Sequence, residues 1–569
     1  MAKLSWYVPC SPRNPMKIAP ELKLLQQLEG KEWNLRDHDG KQVFQIEFAN
    51  LLKTCPTFEG SIHEEDPAFS ARDRVKAMKT FGFAYVSSGK TLKITDAGRR
   101  LIAGIRPEEV FLKQLLKWQY PSYQHRGKEY ASFSIFPFVE ILHMLKELGG
   151  LTKKEIATYV ITMTRSDERN RVIRKIQELR DKYDTIQGKR KRRMFLEEVH
   201  YNFFSNLYRK AFEGGLKIRQ RRGARVTFGE FVKTKMRNSV DVADATIRYC
   251  RYTGLLSIRR NRLVVAEGKE NEVGQILNMK FELNKDYDDV DAFYLWFGDP
   301  DVPVLPYETD EVLRAKIEAT YKECLGIVEK IKSLSPEVEA VLPQIPTLTG
   351  MTVEQVKDFL YYLTGQRIDL NRKLLQVEMR RKPEVLDELL ETLGDIRNSI
   401  DPPAYLEWLT WKALALIDRA ENVVPNFPLD EDLQPVACAP GHKSDVETYF
   451  KEYVVLGEVS LSTGVKQYFA ETEPVTRHIG RFQATEKSRP QPRRVYGLFV
   501  APKIHPSTGE WFFIHAKIMG DPEYGLVTVI PLNFKQFFED VLRFSVTVGG
   551  LDKEEFRDLF DRLDEVKHS

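Results

Sequence analysis

The sequence predicts a multidomain α+β chain with two helix-plus-hairpin units in its first half, a helical connector, and a last third built as an α/β core. Three observations carry this. The order helix, glycine, strand, turn, strand occurs twice before residue 270, residues 305 to 395 are rich in helix formers with apolar spacings of three and four, and helical stretches then alternate with short apolar strands. At 569 residues the chain is long enough for roughly three or four domains. The composition shifts place them at 1–150, 151–300, 301–395 and 396–569.

The first unit is carried by "FSARDRVKAMKTFGF", read as a helix with Ser70 as N-cap and Gly82 as its stop, followed by "AYVSSGKTLKIT", two short strands about a turn. "SGKT" is not a phosphate loop, because Ala84 stands where that motif needs glycine and a strand, not a helix, follows. The second unit, "RNSVDVADATIRYCRYTGLLSIRRNRLVV", repeats the order, with a helix to Tyr252, then Gly254 and a hairpin turning at Arg259, Arg260 and Asn261. This is the outline of a winged helix. Arg248 and Arg251, three apart, would share the polar edge of a recognition helix whose Val242, Ala245, Tyr249 and Cys250 pack inward.

Charge points to a polyanionic partner. Residues 1–270 hold 52 Lys and Arg against 31 Asp and Glu, a net +21, and the remainder carries −17 within an overall +4. Phosphate neutralisation by such basic surfaces supplies most non-specific nucleic-acid affinity. "GKRKRR" (Lys189 to Arg193) and "KIRQRRGAR" (Lys217 to Arg225) read as loops tracking phosphates. "LKWQYPSYQHRGKEY" interleaves aromatics with Lys117, Gln119, Gln124, His125, Arg126 and Lys128. It reads equally as a base-contacting segment and as an aromatic core with a basic rim.

The connector is marked by "DEVLRAKIEATYKECLGIVEKIKSL" and "PEVLDELLETLGDIRNSI". The acidic last third then gives a helix in "AYLEWLTWKALALIDRA", an apolar strand containing Glu458, a helix from Pro474, the strand "VYGLFVAP" and a final "TVIPLNFKQFFEDVLRF", which together predict a mixed sheet. Glu458 sits inside the run Tyr453 to Leu461, and burying an ionised carboxylate there costs several kcal/mol unless something positive compensates it. Asp445, Glu458 and Glu407 could converge on a hard divalent cation, with magnesium the natural choice; a structural ion pair is the alternative. Five single cysteines without a CxxC pair argue against disulfides and zinc. With no apolar run of membrane length and no apolar h-region at the start, a cytoplasmic protein without membrane association is expected.

"WYVPCSPRNP", "FSARDRVKAMKTFGF", "FLKQLLKWQYPSYQHRGKEY", "TKMRNSVDVADATIRYCRYTGLL", "EWLTW", "LQPV", "VVLGEVS" and "EPVTRH", in this order, resemble the AlwI family of type IIS restriction endonucleases, which includes strand-nicking members. The resemblance implies winged-helix-like DNA-recognition domains, a helical linker, and a C-terminal PD-(D/E)XK nuclease domain that cuts duplex DNA a short distance outside a short asymmetric site. It places the catalytic acids on Glu407, Asp445 and Glu458, with Glu473 and His478 nearby, and the metal on Asp445, Glu458, Val459 and Glu407. Ser460 stands where the wider nuclease pattern has a lysine, so Glu473 or His478, with Lys466 behind them, must orient the water. Expected DNA contacts are Arg72, Arg74, Lys117, Gln119, His125, Arg126, Lys235, Arg237, Asn238, Arg248 and Arg251. Expected partners are double-stranded DNA, a transient homodimer or a small second nuclease subunit, and a cognate DNA methyltransferase as genetic partner. The competing reading is a winged-helix DNA-binding regulator with an inert α/β domain.

Overall fold

The computed structural model describes residues 3–58, 60–214, 226–285, 288–382, 384–417 and 420–543. The chain divides into two compact units, Met1–Thr309 and Asp310–Ser569.

In the first unit both helix-and-hairpin segments form. Helix α1 (Pro67–Thr80) ends at Gly82, whose φ of +77° suits glycine, and leads into the antiparallel pair β1 (Ala84–Val86) and β2 (Leu92–Ile94). Its N-cap is Asp66 and not the expected Ser70, because Asp66 accepts from the Phe69 N–H while Pro67 fills the first helical position; the Ser70 hydroxyl accepts from the His63 N–H instead. Helix α2 (Pro107–Lys117) follows. "GKRKRR" is not a loop but the start of helix α3 (Lys189–Glu213), with Gly188 as N-cap; "KIRQRRGAR" lies outside the described residues. Helix α4 (Phe228–Arg251) begins well before the expected segment, in a capping box where Thr227 and Glu230 bond each other's backbone N–H. After Gly254 come β3 (Leu256–Arg259) and β4 (Arg262–Val265), turning at Arg260 and Asn261, both with positive φ. Helices α3 and α4 share a core of Phe204, Tyr208, Phe231 and Val232.

In the second unit, α5 (Asp310–Leu334) and α6 (Val353–Met379) pack along Leu313, Ile317, Cys324, Val328 and Ile331 against Val356, Leu363 and Leu370. The expected connector is therefore a helical pair within this unit. Helix α7 (Pro402–Ala415) precedes a five-stranded mixed sheet: β5 (Asn422–Pro425), β6 (Val446–Tyr449) and β7 (Tyr453–Val459) run antiparallel, then β8 (Arg494–Ala501) and β9 (Val529–Asn533) continue parallel to β7. One face packs through Val454, Leu456, Val495 and Phe499 onto Val475 and Ile479 of α8 (Val465–Lys487) and Phe512 of α9 (Pro506–Lys517); on the other face Gly457 lies against Leu414 of α7. Gly497 allows α8 to approach this closely, since a Cβ there would lie 2.3 Å from Ile479 Cδ1.

Helix α8 starts nine residues ahead of the expected Pro474, which stands inside it. An interior proline costs about 3 kcal/mol, and the burial of Gln467, Thr472, Val475 and Ile479 along the inner face carries the helix through it. Among the described residues no helix is long and apolar enough to cross a membrane.

Candidate active site

The sheet register brings two acids side by side. Val446 of β6 pairs with Gly457 of β7, so Asp445 and Glu458 lie one step further along adjacent strands. The Asp445 N–H donates to Gly457 O at 3.0 Å, and its Oδ2 accepts the Val459 N–H at 2.8 Å. Glu407, on the inner side of α7, accepts the Ala439 N–H at 2.8 Å. Glu407 and Glu458 are each only 6% exposed, so both belong to the interior.

A fourth acid, absent from the sequence-based set, joins them. Glu471 on α8 accepts from the Ser460 hydroxyl at 2.6 Å and adds its negative charge to those acting on Asp445 and Glu458. Ser460 therefore does not leave a gap where the lysine would be. It turns Glu471 toward the strand end. Glu471 and His478 are seven residues apart, two helical turns on one face, while Glu473 projects to solvent and pairs with Arg477 at 2.8 Å. Of the two, Glu471 and not the expected Glu473 faces the strand end, and Lys466 is exposed.

Electrostatics set these acids apart. Burial, then the neighbouring charge of Glu458, holds the Asp445 carboxyl well above the usual range; burial, then Glu407 and Glu471, does the same to Glu458; burial and then Asp445 raise Glu407. The arrangement is one of mutually repelling carboxyls in low dielectric. His478 bridges two acceptors, with Nε2 2.9 Å from Gly441 O and Nδ1 2.9 Å from Glu458 Oε1. The carbonyl can only accept, so Nε2 carries a proton, and the Nδ1 contact requires another between histidine and glutamate. Burial lowers the histidine's proton affinity and raises that of Glu458, so the two compete for this proton on closer terms than free side chains would.

Among the described residues no three His, Cys, Asp or Glu side chains hold their donors at metal-ligand spacing. The donor chemistry nevertheless fits a hard cation, since the gathered groups are carboxylates, and Asp445 Oδ1 and Glu458 Oε2 take no hydrogen bond among the described residues. The positive partner expected beside Glu458 is not a lysine or arginine in contact; Arg477 acts on it only as a weaker, more distant charge.

The expected DNA contacts divide in two. Arg74 is buried against Glu21 at 3.0 Å and over the Phe58 ring. Lys117 donates to Trp296 O and Asp299 O, Gln119 to Pro121 O and Asn284 O, and His125 lies 2.8 Å from the Tyr7 hydroxyl, all three buried. Of the two readings of that segment, the aromatic core is the one found. Arg251 is 4% exposed and Arg248 is held by Asp244 at 3.1 Å, so the C-terminal half of α4 packs as a core helix and does not present these two arginines along an outward edge. Arg72, paired with Asp66, and Arg126, over the Tyr123 ring, remain at the surface. Arg237 and Asn238 are exposed on the first half of α4, and Lys235 lies there over Tyr208 and Phe231. Basic residues read from the sequence as loop or turn, Lys189 to Lys191 and Arg193 on α3 and Arg259 and Arg260 on the second hairpin, are exposed as well.

Comparison with known proteins adds the family. Two solved structures are similar in part: the crystal structure of the small subunit (R.BspD6I2) of the heterodimeric restriction endonuclease R.BspD6I, at 25% identity and TM-score 0.27 over 31% of this chain and 88% of that one, and pyrene- and phenanthrene-modified DNA in complex with the BpuJ1 endonuclease binding domain, at 14% identity and TM-score 0.31 over 52% and 97%. A comparison with curated proteins finds no match. The family model described as AlwI restriction endonuclease matches residues 79–539, a span that contains all four acids and His478. On that match over more than half of its length, the chain belongs to the AlwI restriction endonuclease family.

Proposed function

We propose that the chain is a type IIS site-specific deoxyribonuclease. Winged-helix-like parts at 1–150 and 151–300 find a short asymmetric duplex sequence, the helices of 301–395 link them to a PD-(D/E)XK-type cleavage domain at 396–569, and cleavage falls a short distance outside the site. The observation that carries the reading is the gathering of the buried Glu407 and Glu458 with the half-buried Asp445 and Glu471, each raising the proton affinity of a neighbour, in a chain of this family. Asp445, Glu458, Glu407 and the backbone of Val459 would hold magnesium. When bound, that ion lowers the pKa of its water and neutralises charge developing on the phosphate. Asp445 is held by the Val459 amide and Glu407 by the Ala439 amide, which restricts how far each carboxylate must be ordered as the donors close on the ion. Glu471, fixed by Ser460, takes the attacking water's proton, and His478 orients Glu458.

One such centre cuts one strand at a time. The chain nicks by itself, and duplex cleavage uses a second copy or a small second nuclease subunit. A cytoplasm holding this activity needs a matching DNA methyltransferase. Asp445→Asn keeps an acceptor for the Val459 amide, and it should reduce plasmid cleavage about a thousandfold or more while gel-shift affinity for the site persists. Cleavage at wild-type rate would remove the metal assignment, and lost binding with intact folding would remove the division of labour. Sequencing the ends of digested plasmid reads site, offset and strand together.

A further inference from the structure

In the second unit, the helical pair and the sheet have separate hydrophobic cores. The pair buries Leu313 to Leu370 within itself, and the sheet buries Val454 to Val529 with α8 and α9. Polar side chains on α6 join the two along β5, the outermost strand. In the antiparallel pairing of β5 with β6, Val423 lies opposite Thr448, and its own N–H and C=O go to side chains. The C=O accepts from Arg372 at 3.0 Å and from Trp411 Nε1 at 3.3 Å, and the N–H donates to Gln376 Oε1 at 3.4 Å. Arg372 also reaches Asn422 Oδ1 at 3.3 Å, Arg380 donates to Ala420 O, and Arg367 is paired with Glu431 as well as with Glu323 of α5. Arg372, Gln376 and Arg380 follow spacings of four, one stripe of the helix. From Arg367 to Arg380 the contacts run along about 20 Å of α6.

An exposed strand edge is usually blunted with charge or proline or covered. Here one helix covers it with directional, charge-assisted bonds to main-chain groups, and such contacts define one register, where a greasy seam would tolerate sliding. We propose that Arg367, Arg372, Gln376 and Arg380 are positioning residues for cleavage: they lock the helical pair to the nuclease sheet in one register and thereby fix which phosphodiester outside the recognition site is cut. This rests on the reading above, that cleavage lies at a set distance from a separately bound site, since the precision of such a distance is the rigidity of the parts between.

The test is end-mapping of cleavage products from the full chain on a plasmid with one site. Wild type should give a single position. Arg372→Met with Arg380→Met should bind the site with unchanged affinity and keep cutting, but at a spread of neighbouring phosphodiesters, with more than a third of ends displaced. Gln376→Met, a milder change that leaves the ion pairs, should broaden the ends less and serves if the double variant does not fold. Arg367→Glu should spread the ends, and Glu431→Arg added to it should restore them. If folded variants keep the wild-type position, or the charge swap fails to narrow the spread, the positioning role is overturned while the reading of function stands. If wild type itself scatters, or cuts inside its site, that reading falls and the proposal with it.

Discussion

The buried carboxylates of the first unit and the acids gathered at the end of β7 in the second are handled in opposite ways, whereas Glu486 of the second unit is paired with Arg489 and Arg493 like those of the first. In the first unit each has an arginine: Glu140 is held by Arg169 through bonds of 2.6 and 2.9 Å, and Glu155 by Arg180 at 2.7 and 3.0 Å, with Arg180 also bonding Leu148 O and Gly150 O. In the second unit Glu407, Asp445 and Glu458 face one another and Glu471, held by backbone amides, the Ser460 hydroxyl, the Cys438 thiol and a histidine. The first arrangement serves the fold, because a bidentate arginine offsets desolvation and fixes geometry. The second opposes the fold, because gathered like charges are a cost that folding alone would not select. A cluster left uncompensated next to a paired alternative in the same chain marks where a ligand's charge is meant to go.

The sharpest break of this comparison uses one substitution in each unit. Arg180→Met leaves Glu155 buried without its partner and should cost about 3–5 kcal/mol, read as a lowered melting temperature, with residual cleavage per folded molecule unchanged. Asp445→Asn should do the reverse, leaving or raising the melting temperature in metal-free buffer while cleavage is lost. A destabilised Asp445→Asn would mean that the acids were paired after all.

Protons separate the units next. A carboxyl whose affinity is raised by folding binds more protons folded than unfolded, so its contribution to stability falls as pH rises from the ordinary carboxylate range through the raised value. The acid cluster therefore penalises the metal-free protein at neutral and alkaline pH, and a divalent cation removes that penalty. Magnesium or calcium should raise the melting temperature more at about pH 8 than at about pH 6, and Asp445→Asn should abolish the difference. His125 and His200 act with the opposite sign. Burial drives each down to about 3, so both are neutral in the folded state while the unfolded chain takes protons near pH 6.5. Their contribution is complete above that value and is lost as pH falls toward 3, on the order of 3 kcal/mol each by pH 4. Circular dichroism on acidification should show an acid transition that His200→Phe moves to lower pH.

The sequence made the alternation of elements legible wherever pattern and cap agreed. Helix α5 occupies the stretch read for it, Asp310 to Leu334, and both hairpins and the mixed sheet stand where expected. Glu458 was visible as a carboxylate in an apolar strand, and its closeness to Asp445 follows from a register that only the folded sheet supplies. Two arginines expected on an outward edge are placed otherwise, for an instructive reason. Spacing shows that Arg248 and Arg251 share a face, but Arg251 is buried and Arg248 is turned to Asp244, and nothing local says which face meets solvent. Lys117 and Gln119 are likewise satisfied by carbonyls more than 160 residues away, at Trp296, Asp299 and Asn284. Pro474 was read as a boundary because a proline's local cost is visible in sequence and the packing that outweighs it is not.

The smallest expected effects separate two acids a sequence reader cannot tell apart. Glu471 and Glu473 are two positions apart on one helix, about 200° around its axis, so only one can face the strand end. Glu473 is 61% exposed in an ion pair with Arg477, an arrangement worth about 0.3–0.5 kcal/mol. Glu473→Ala should leave the melting temperature within a degree or two and cleavage within about twofold of wild type. Glu471→Gln keeps the bond to Ser460 and should lower the turnover rate while leaving half-saturation by DNA unchanged, because a group that acts on the attacking water contributes to the transition state and not to binding. Equal losses in the two variants would mean that helix stability, not the face presented to the strand end, governs this part of the site.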